Sequence, residues 1–89
     1  MKEIKACIIT IGDEILYGQT LDTNSHWLSN ILNEAGIRTV KRITVGDNRK
    51  DILWAFDQHT NYDISLITGG LGPTNDDLTK PLLTEYFNT

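Results

Sequence analysis

The chain has 89 residues, a mass of 10.0 kDa and a formal net charge of −4, which fits one small domain and excludes two independent cores. Twelve acidic against eight basic side chains are the wrong balance for holding a phosphodiester backbone, so we expect no nucleic-acid partner. Its apolar runs fall far short of the ~20 residues that cross a bilayer, so no membrane partner is expected. The single cysteine, Cys7, cannot form an internal disulfide and suits a reducing cytoplasm.

Hydrophobic patterning predicts strands at residues 4–10, 37–45 and 63–68. The first and third are almost wholly apolar, as is typical of strands covered on both faces, so the third is predicted to be central with a further strand beside it. The middle strand alternates, and one of its faces is predicted to carry Ile37, Thr39, Lys41, Ile43 and Val45.

Helical spacing marks the segments after each strand. The first helix follows capping candidates at 22–25, stops at Gly36, and has apolar positions Trp27, Leu28, Ile31, Leu32 and Ala35. Asn48 and Asp51 approximate a capping box for the second helix, which should end near Asn61. A third, with Thr79 as cap, carries Leu82, Leu83, Tyr86 and Phe87. Aromatic residues, including Trp27 and Trp54, are predicted in the core or an interface.

The order β-α-β-α-β-α implies an α/β fold with a parallel sheet and helices on both faces. Ligands of such sheets bind at the carboxyl ends of the strands. Six of the twelve acidic residues follow those ends: Asp13, Glu14, Asp22, Asp47, Asp76 and Asp77. A divalent cation bridging to phosphate oxygens would require this gathering, although each acid taken alone could be a loop charge, a cap or a turn former. Asn24 is read as another cap.

A glycine-rich turn, Gly69-Gly70-Leu71-Gly72, follows the third strand. Glycine lets backbone N–H groups approach an anion closely, and the next helix directs its positive end to the same place. Thr74 and Thr79 add hydroxyl donors. The combination predicts a site for a phosphorylated nucleotide or pterin beside a metal ion, with a merely tight turn as the alternative.

Other chemistries lack their motifs. The segment after the first strand is not G-x-G-x-x-G, no glycine precedes a lysine, and no G-x-S-x-G elbow occurs. His26 and His59 have no partners at metal-ligand spacing and are predicted at the surface or half-buried. A receiver-like signalling domain would need an aspartate where Thr68-Gly69 stands.

Four blocks in order, at residues 11–18, 21–28, 44–48 and 68–80, resemble the amino-terminal domain of the CinA (competence/damage-inducible) family. That domain shares the molybdopterin-binding fold of MoaB, MogA and MoeA. The resemblance implies a three-layer α/β/α domain with sheet order 2-1-3-5-4, of which residues 1–89 would form about the first half. A homo-oligomer is also expected: a second copy could supply the strand missing beside the third one, although a chain cut short of its full domain is the favoured explanation.

The resemblance further implies metal-dependent hydrolysis of ADP-ribose to AMP and ribose 5-phosphate, or binding of a pterin. The catalytic carboxylates would be Asp13, Glu14, Asp76 and Asp77, and Asp13, Asp76 and Asp77 would hold Mg²⁺ or a similar divalent cation. The ligand would contact Gly12, Asn24, Asp47, Gly69, Gly70, Gly72, Thr74 and Thr79. A binding or assembly module without catalysis is the alternative.

Overall fold

A computed structural model of the chain describes residues 3–69 and 86–87. Its elements are β1 (Ile4–Ile11), α1 (Asp13–Leu16), α2 (Thr23–Glu34), β2 (Ile37–Val45), α3 (Arg49–Asp57), a 3₁₀ helix (Gln58–Asn61) and β3 (Ile64–Gly69). The strands are parallel, in the order β2-β1-β3. The predicted α/β fold and the first part of the predicted sheet order are therefore confirmed. None of the described helices is long and apolar enough to cross a membrane.

The central strand β1 is covered on both faces, as its apolar sequence predicts. On one face Ala6 and Ile8 pack with Leu32 of α2. On the other face the fully buried side chains of β1 pack against α3; this cluster contains Cys7, Ile9, Ile11, Ile43, Val45, Ile52, Ala55 and Phe56. The sheet is therefore the middle of three layers, with α2 and α3 on opposite sides.

A β-bulge in β2 overturns one prediction about that strand. The register with β1 shifts between Ala6, paired with Thr39, and Cys7, paired with Lys41, so Val40 has no partner on β1. An extra residue reverses the face on which the following side chains lie. Ile37 accordingly packs on the α2 side, whereas Ile43 and Val45 pack on the α3 side. The prediction that all five alternating residues share one face is wrong.

Two predicted helix boundaries follow from local hydrogen bonds. Asp22 caps α2 by accepting from the Ser25 N–H at 3.0 Å, and Asn48 caps α3 by accepting from the Asp51 N–H at 2.9 Å. Gly36, at φ 81°, follows α2 in the left-handed conformation that glycine adopts at least cost. The second predicted helix reaches Asn61 only through the 3₁₀ helix.

The third strand lies at one side of the sheet formed by the described strands. It pairs with β1, and no strand within residues 3–69 pairs with its other edge, so its predicted outer neighbour is not among them. All six of its residues are half-buried, less than its apolar sequence predicts. Of the third predicted helix, only Tyr86 and Phe87 lie among the described residues. Tyr86 packs against the α3-side core, and its ring lies edge-on to Phe56 at 5.7 Å.

The two tryptophans do not lie in the core, which was one of the two places predicted for the aromatic residues; the other, an interface, stays a prediction. Trp27 on α2 is 61% exposed and Trp54 on α3 is 55% exposed. Ile31, one turn after Trp27, is also exposed. The apolar stripe of α2 is therefore wider than the sheet beneath it, and only its Leu28 and Leu32 side contacts the core.

Candidate functional site

The carboxyl ends of the three strands meet along one edge of the sheet. Ile11 at the end of β1 pairs with Val45 of β2 and with Gly69 of β3. The Gly12 N–H then donates to the Val45 carbonyl at 3.0 Å, which keeps the segment after β1 beside the end of β2. Gly69, predicted as the first residue of the turn, is instead the last residue of β3. The ends of the three strands are thus neighbours, as the sequence predicts, and the residues that follow β3 lie outside the described part of the chain.

Asp13 is fixed to the loop that follows β2. The sequence predicted an open loop for this residue, but Asp13 lies in the first turn of the four-residue helix α1. Its Oδ1 accepts a hydrogen bond of 2.9 Å from the Asp47 N–H. A Cβ on the buried Gly46 would stand 2.6 Å from the same oxygen. Glycine at position 46 is therefore what allows the Asp13 carboxylate to lie against this backbone.

The carboxylates of Asp47 and Glu14 lie near that of Asp13. Burial raises the pKa of Asp47, and the negative charges of Asp13 and Glu14 raise it further. Asp47 Oδ1 and Glu14 Oε1 are both buried, and neither makes a hydrogen bond. Within the described residues, the Asp47 and Glu14 carboxylates therefore each keep a buried oxygen without a donor, and Asp13 and Glu14 are close enough for their charges to act on Asp47. Such shifted, unpaired groups are enriched at functional sites.

A different network, which the sequence did not predict, joins β1 to the start of α2. The buried Thr10 hydroxyl donates to Asp22 Oδ2 at 3.1 Å and lies 2.8 Å from the buried Ser25 hydroxyl, which donates to it in turn. Arg42 approaches the same carboxylate oxygen at 4.0 Å. Burial alone would raise the pKa of Asp22, but these donors and Arg42 outweigh it, so the pKa is lowered.

Asp22 is thus a structural acid, whose donors are supplied by its own neighbours. The signal in the sequence was the spacing of Asp22 and Ser25, three residues apart at a helix start, together with a threonine near the end of a buried strand. Because Thr10 precedes Gly12 by two residues, the network fixes the position from which the carboxylate-bearing segment begins.

Asn24 is not a cap, because Asp22 holds that role. It is exposed in the first turn of α2, and its side-chain amide makes no hydrogen bond within the described residues. It lines a cavity of about 350 Å³ between α2 and the end of β3, together with Trp27, Leu28, Ile67 and Thr68. A second cavity, of about 280 Å³, lies on the α3 side, between Phe56 and Ile67.

The remaining predicted site residues lie outside the described residues: Gly70, Gly72, Thr74, Asp76, Asp77 and Thr79. Within residues 3–69 and 86–87, no group of three or more His, Cys, Asp or Glu side chains is arranged to hold a metal ion. The unpaired carboxylate oxygens are nevertheless the hard donors that Mg²⁺ prefers. Their chemistry fits part of a divalent-cation site, and the described residues alone do not complete one.

Comparison with known proteins confirms the resemblance drawn from the four sequence blocks. Residues 7–89 match the family model described as "Probable molybdopterin binding domain". A CinA-like protein of Cytophaga hutchinsonii is 52% identical over 87 residues, which are 97% of this chain and 21% of that protein. The chain thus spans about a fifth of the length of this curated relative.

Solved structures agree on the fold. The crystal structure of the protein CinA from Thermoplasma acidophilum superposes with a TM-score of 0.84 at 34% identity, over 97% of this chain and 52% of that one. A crystal structure of molybdenum cofactor biosynthesis protein B gives a TM-score of 0.74 at 28% identity, over 94% of this chain and 53% of that one. The chain covers about half of each neighbour.

Proposed function

Because the chain belongs to the molybdopterin-binding domain family, with CinA-like proteins among its relatives, we propose that it forms part of a site for a phosphorylated nucleotide or pterin and a divalent cation. In the complete protein this site hydrolyses the diphosphate of ADP-ribose. Water adds across one P–O bond, and the products are AMP and ribose 5-phosphate. The substrate, the metal ion and the assembly of several copies into a homo-oligomer are all parts of this proposal.

The observation that carries the proposal is the group of three acids at the ends of β1 and β2. Asp13 accepts the Asp47 N–H, and the Asp47 and Glu14 carboxylates each hold a buried oxygen without a hydrogen bond. Scattered solubilising charges would separate to reduce their repulsion. These three are instead held together by Gly46 and the Asp13–Asp47 bond, which supports a role that needs concentrated negative charge.

Asp13, together with Asp76 and Asp77, would hold the cation, whose charge would offset that of the diphosphate and would make a nearby water more acidic. Asp47 suits a proton acceptor for the attacking water, because its raised pKa lies nearer neutrality than that of an ordinary aspartate. Gly69 is the last residue of β3 and pairs with Ile11 at the end of β1. Its N–H group, with those of Gly70 and Gly72, would hold the phosphate.

The test is release of AMP from ADP-ribose by the complete protein, followed chromatographically with Mg²⁺ and after chelation by EDTA. General acid–base catalysis contributes about 10²- to 10⁴-fold, so Asp47→Asn should lower the rate by at least about 100-fold. Glu34→Gln, at the exposed end of α2, is the matched charge-removing control and should leave the rate unchanged. Wild-type rates in Asp47→Asn would show that this acid has no part in the reaction.

The same protein distinguishes hydrolysis from binding alone. A non-catalytic module would release heat on mixing with ADP-ribose in a calorimeter while no AMP forms over hours.

A further inference from the structure

The cavity at the end of β3 has the composition of a site for a flat ring. Its apolar walls are Trp27 and Leu28, on successive positions of α2, and Ile67 of β3. Its polar groups are the Asn24 amide and the Thr68 hydroxyl. Small-molecule pockets typically measure about 300–1,000 Å³ and combine apolar walls with a few polar groups, and this cavity, at about 350 Å³, lies at the lower end of that range.

Trp27 forms an exposed wall of this cavity. It shows 61% of its surface to solvent, whereas Leu28, the next residue, and Leu32 of the same helix contact the core. The exposed part of the indole is accessible to a ligand that enters the cavity. Purine and pterin rings stack on tryptophan because both surfaces are flat and polarisable.

The polar groups of the cavity match the edge of such a ring. The Asn24 amide offers two N–H donors and a carbonyl acceptor, and none of these is used within the described residues. Among the described residues, the Thr68 hydroxyl makes one hydrogen bond, a long one of 3.4 Å to the Gly69 carbonyl. Ring nitrogens and amino groups of a purine or pterin need donors and acceptors of this kind.

The cavity is also placed beside the proposed phosphate and metal site. Thr68 pairs with Thr10 of β1, and Thr10 binds Asp22, the residue that caps α2. Asn24 stands two residues after that cap. A ligand with its ring against Trp27 would therefore extend its phosphate groups along the edge where β1 and β3 end. That edge also carries Gly12 and Gly69.

We propose that Trp27 is the stacking platform for the heteroaromatic ring of the ligand, with Asn24 and Thr68 binding the ring edge. This inference rests on the proposed function, because it assigns the ring end of the same site. Trp27 acts through binding and has no catalytic step. Trp54, on α3 at the opposite face of the sheet and equally exposed, supplies a matched control.

The experiment uses the complete protein labelled with 5-fluorotryptophan. The ¹⁹F resonances of Trp27 and Trp54 are assigned by their loss in Trp27→Phe and Trp54→Phe. AMP, neopterin and ribose 5-phosphate are then added separately, and the affinity of each is measured by calorimetry. AMP or neopterin should shift the Trp27 resonance and leave that of Trp54 in place, whereas ribose 5-phosphate, which has no heteroaromatic ring, should shift neither.

Affinity gives the second readout. Stacking of one base on an aromatic side chain corresponds to about tenfold or more in the dissociation constant, so Trp27→Ala should weaken AMP by about tenfold and leave ribose 5-phosphate unchanged. Trp54→Ala should change neither. Both side chains are exposed, so neither substitution removes core packing.

The outcomes separate the two proposals. If ribose 5-phosphate binds, AMP and neopterin bind no more tightly and the Trp27 resonance does not move, the ring site is wrong and the proposed phosphate site stands. If neopterin alone shifts Trp27, the ring site holds for a pterin and the proposed ADP-ribose substrate falls. If no probe binds, both proposals are wrong.

Discussion

Replacing Asp22 tests whether the Thr10–Asp22–Ser25 network stabilises the junction of β1 and α2. Asp22→Ala removes the acceptor for the Ser25 N–H, and loss of a helix N-cap costs about 0.5–2 kcal/mol. It also removes the acceptor for the Thr10 hydroxyl, which is buried, and this adds about 1 kcal/mol. We therefore expect the free energy of unfolding to fall by about 2 kcal/mol.

Asp22→Asn is the informative comparison. Asparagine caps helices as well as aspartate does, so the Ser25 bond survives, and the Thr10 hydroxyl can donate to Ser25 while accepting from the new amide. Only the charge and its attraction to Arg42 are lost, and a 4.0 Å pair with a half-exposed arginine contributes about 1 kcal/mol or less. Urea unfolding followed by circular dichroism at pH 7 measures both variants.

The pH dependence supplies the second half of the test. The pKa of Asp22 is lower in the folded protein than its ordinary value of 3.8. Its ionised form therefore adds stability that is complete above 3.8 and is lost as the pH falls through the folded pKa. The gap between wild type and Asp22→Asn should close over that acidic range. Equal losses in the alanine and asparagine variants, or a gap independent of pH, would refute the network as described.

Three further variants test the core and the acidic group. Asp47→Asn should raise the unfolding temperature at pH 7, because the pKa of Asp47 is raised and its ionised form lowers the stability of the folded protein above pH 3.8. Below pH 3.8 the variant should be no more stable than wild type, and a variant less stable than wild type at pH 7 would contradict this. Gly46→Ala should displace the flexible Asp13 carboxylate and so accelerate hydrogen exchange at the Asp47 N–H. The free energy of unfolding in urea should fall by under about 1 kcal/mol. Unchanged exchange would disprove the contact between Gly46 and the Asp13 carboxylate. Phe56→Ala, at a site 1% exposed, should cost about 3–5 kcal/mol, against under about 0.5 for Trp54→Ala on the same helix. A Phe56 loss as small as the Trp54 loss would show that α3 does not cover the sheet.

The sequence predicted those features that depend on residues close together in the chain. Capping by Asp22 and Asn48, and the stop at Gly36, follow from side chains within a few residues of each helix end. The apolar sequence of the first strand predicted that both of its faces are covered, because only such a strand has no polar side. The strand order followed from the family resemblance, and the pairing of Ile11 with Gly69 agrees with it.

Features set by packing between distant segments were not predicted. The bulge at Val40 leaves the alternating pattern of β2 unbroken in the sequence, since no glycine or proline marks it, yet it moves Ile43 to the opposite face from Ile37. The exposure of Trp27 was missed because helical spacing shows which residues share a stripe but not how wide the surface beneath it is. In the site, the proximity of Asp13 and Asp47 was predicted from their places after neighbouring strands. The close contact of the Asp13 carboxylate with Gly46 was not predicted, because it depends on how the two loops pack.

Asp22 and Asp47, near the carboxyl ends of the strands, have pKa values shifted in opposite directions, and the causes indicate a structural role for one and a functional role for the other. Asp22 receives donors from Ser25 and Thr10, so its pKa falls and its charge is a stable part of the fold. Asp47 is partly buried near two other acids, its Oδ1 makes no hydrogen bond, and its pKa rises. The fold thus supplies donors to Asp22 but leaves Asp47 near the negative charges of Asp13 and Glu14. The repulsion lowers the stability of the folded protein, and a bound cation would remove that loss. Stability of the folded protein should therefore increase on adding Mg²⁺ at pH 7, and the increase should be smaller in Asp47→Asn, as thermal unfolding of both proteins with and without the metal would measure.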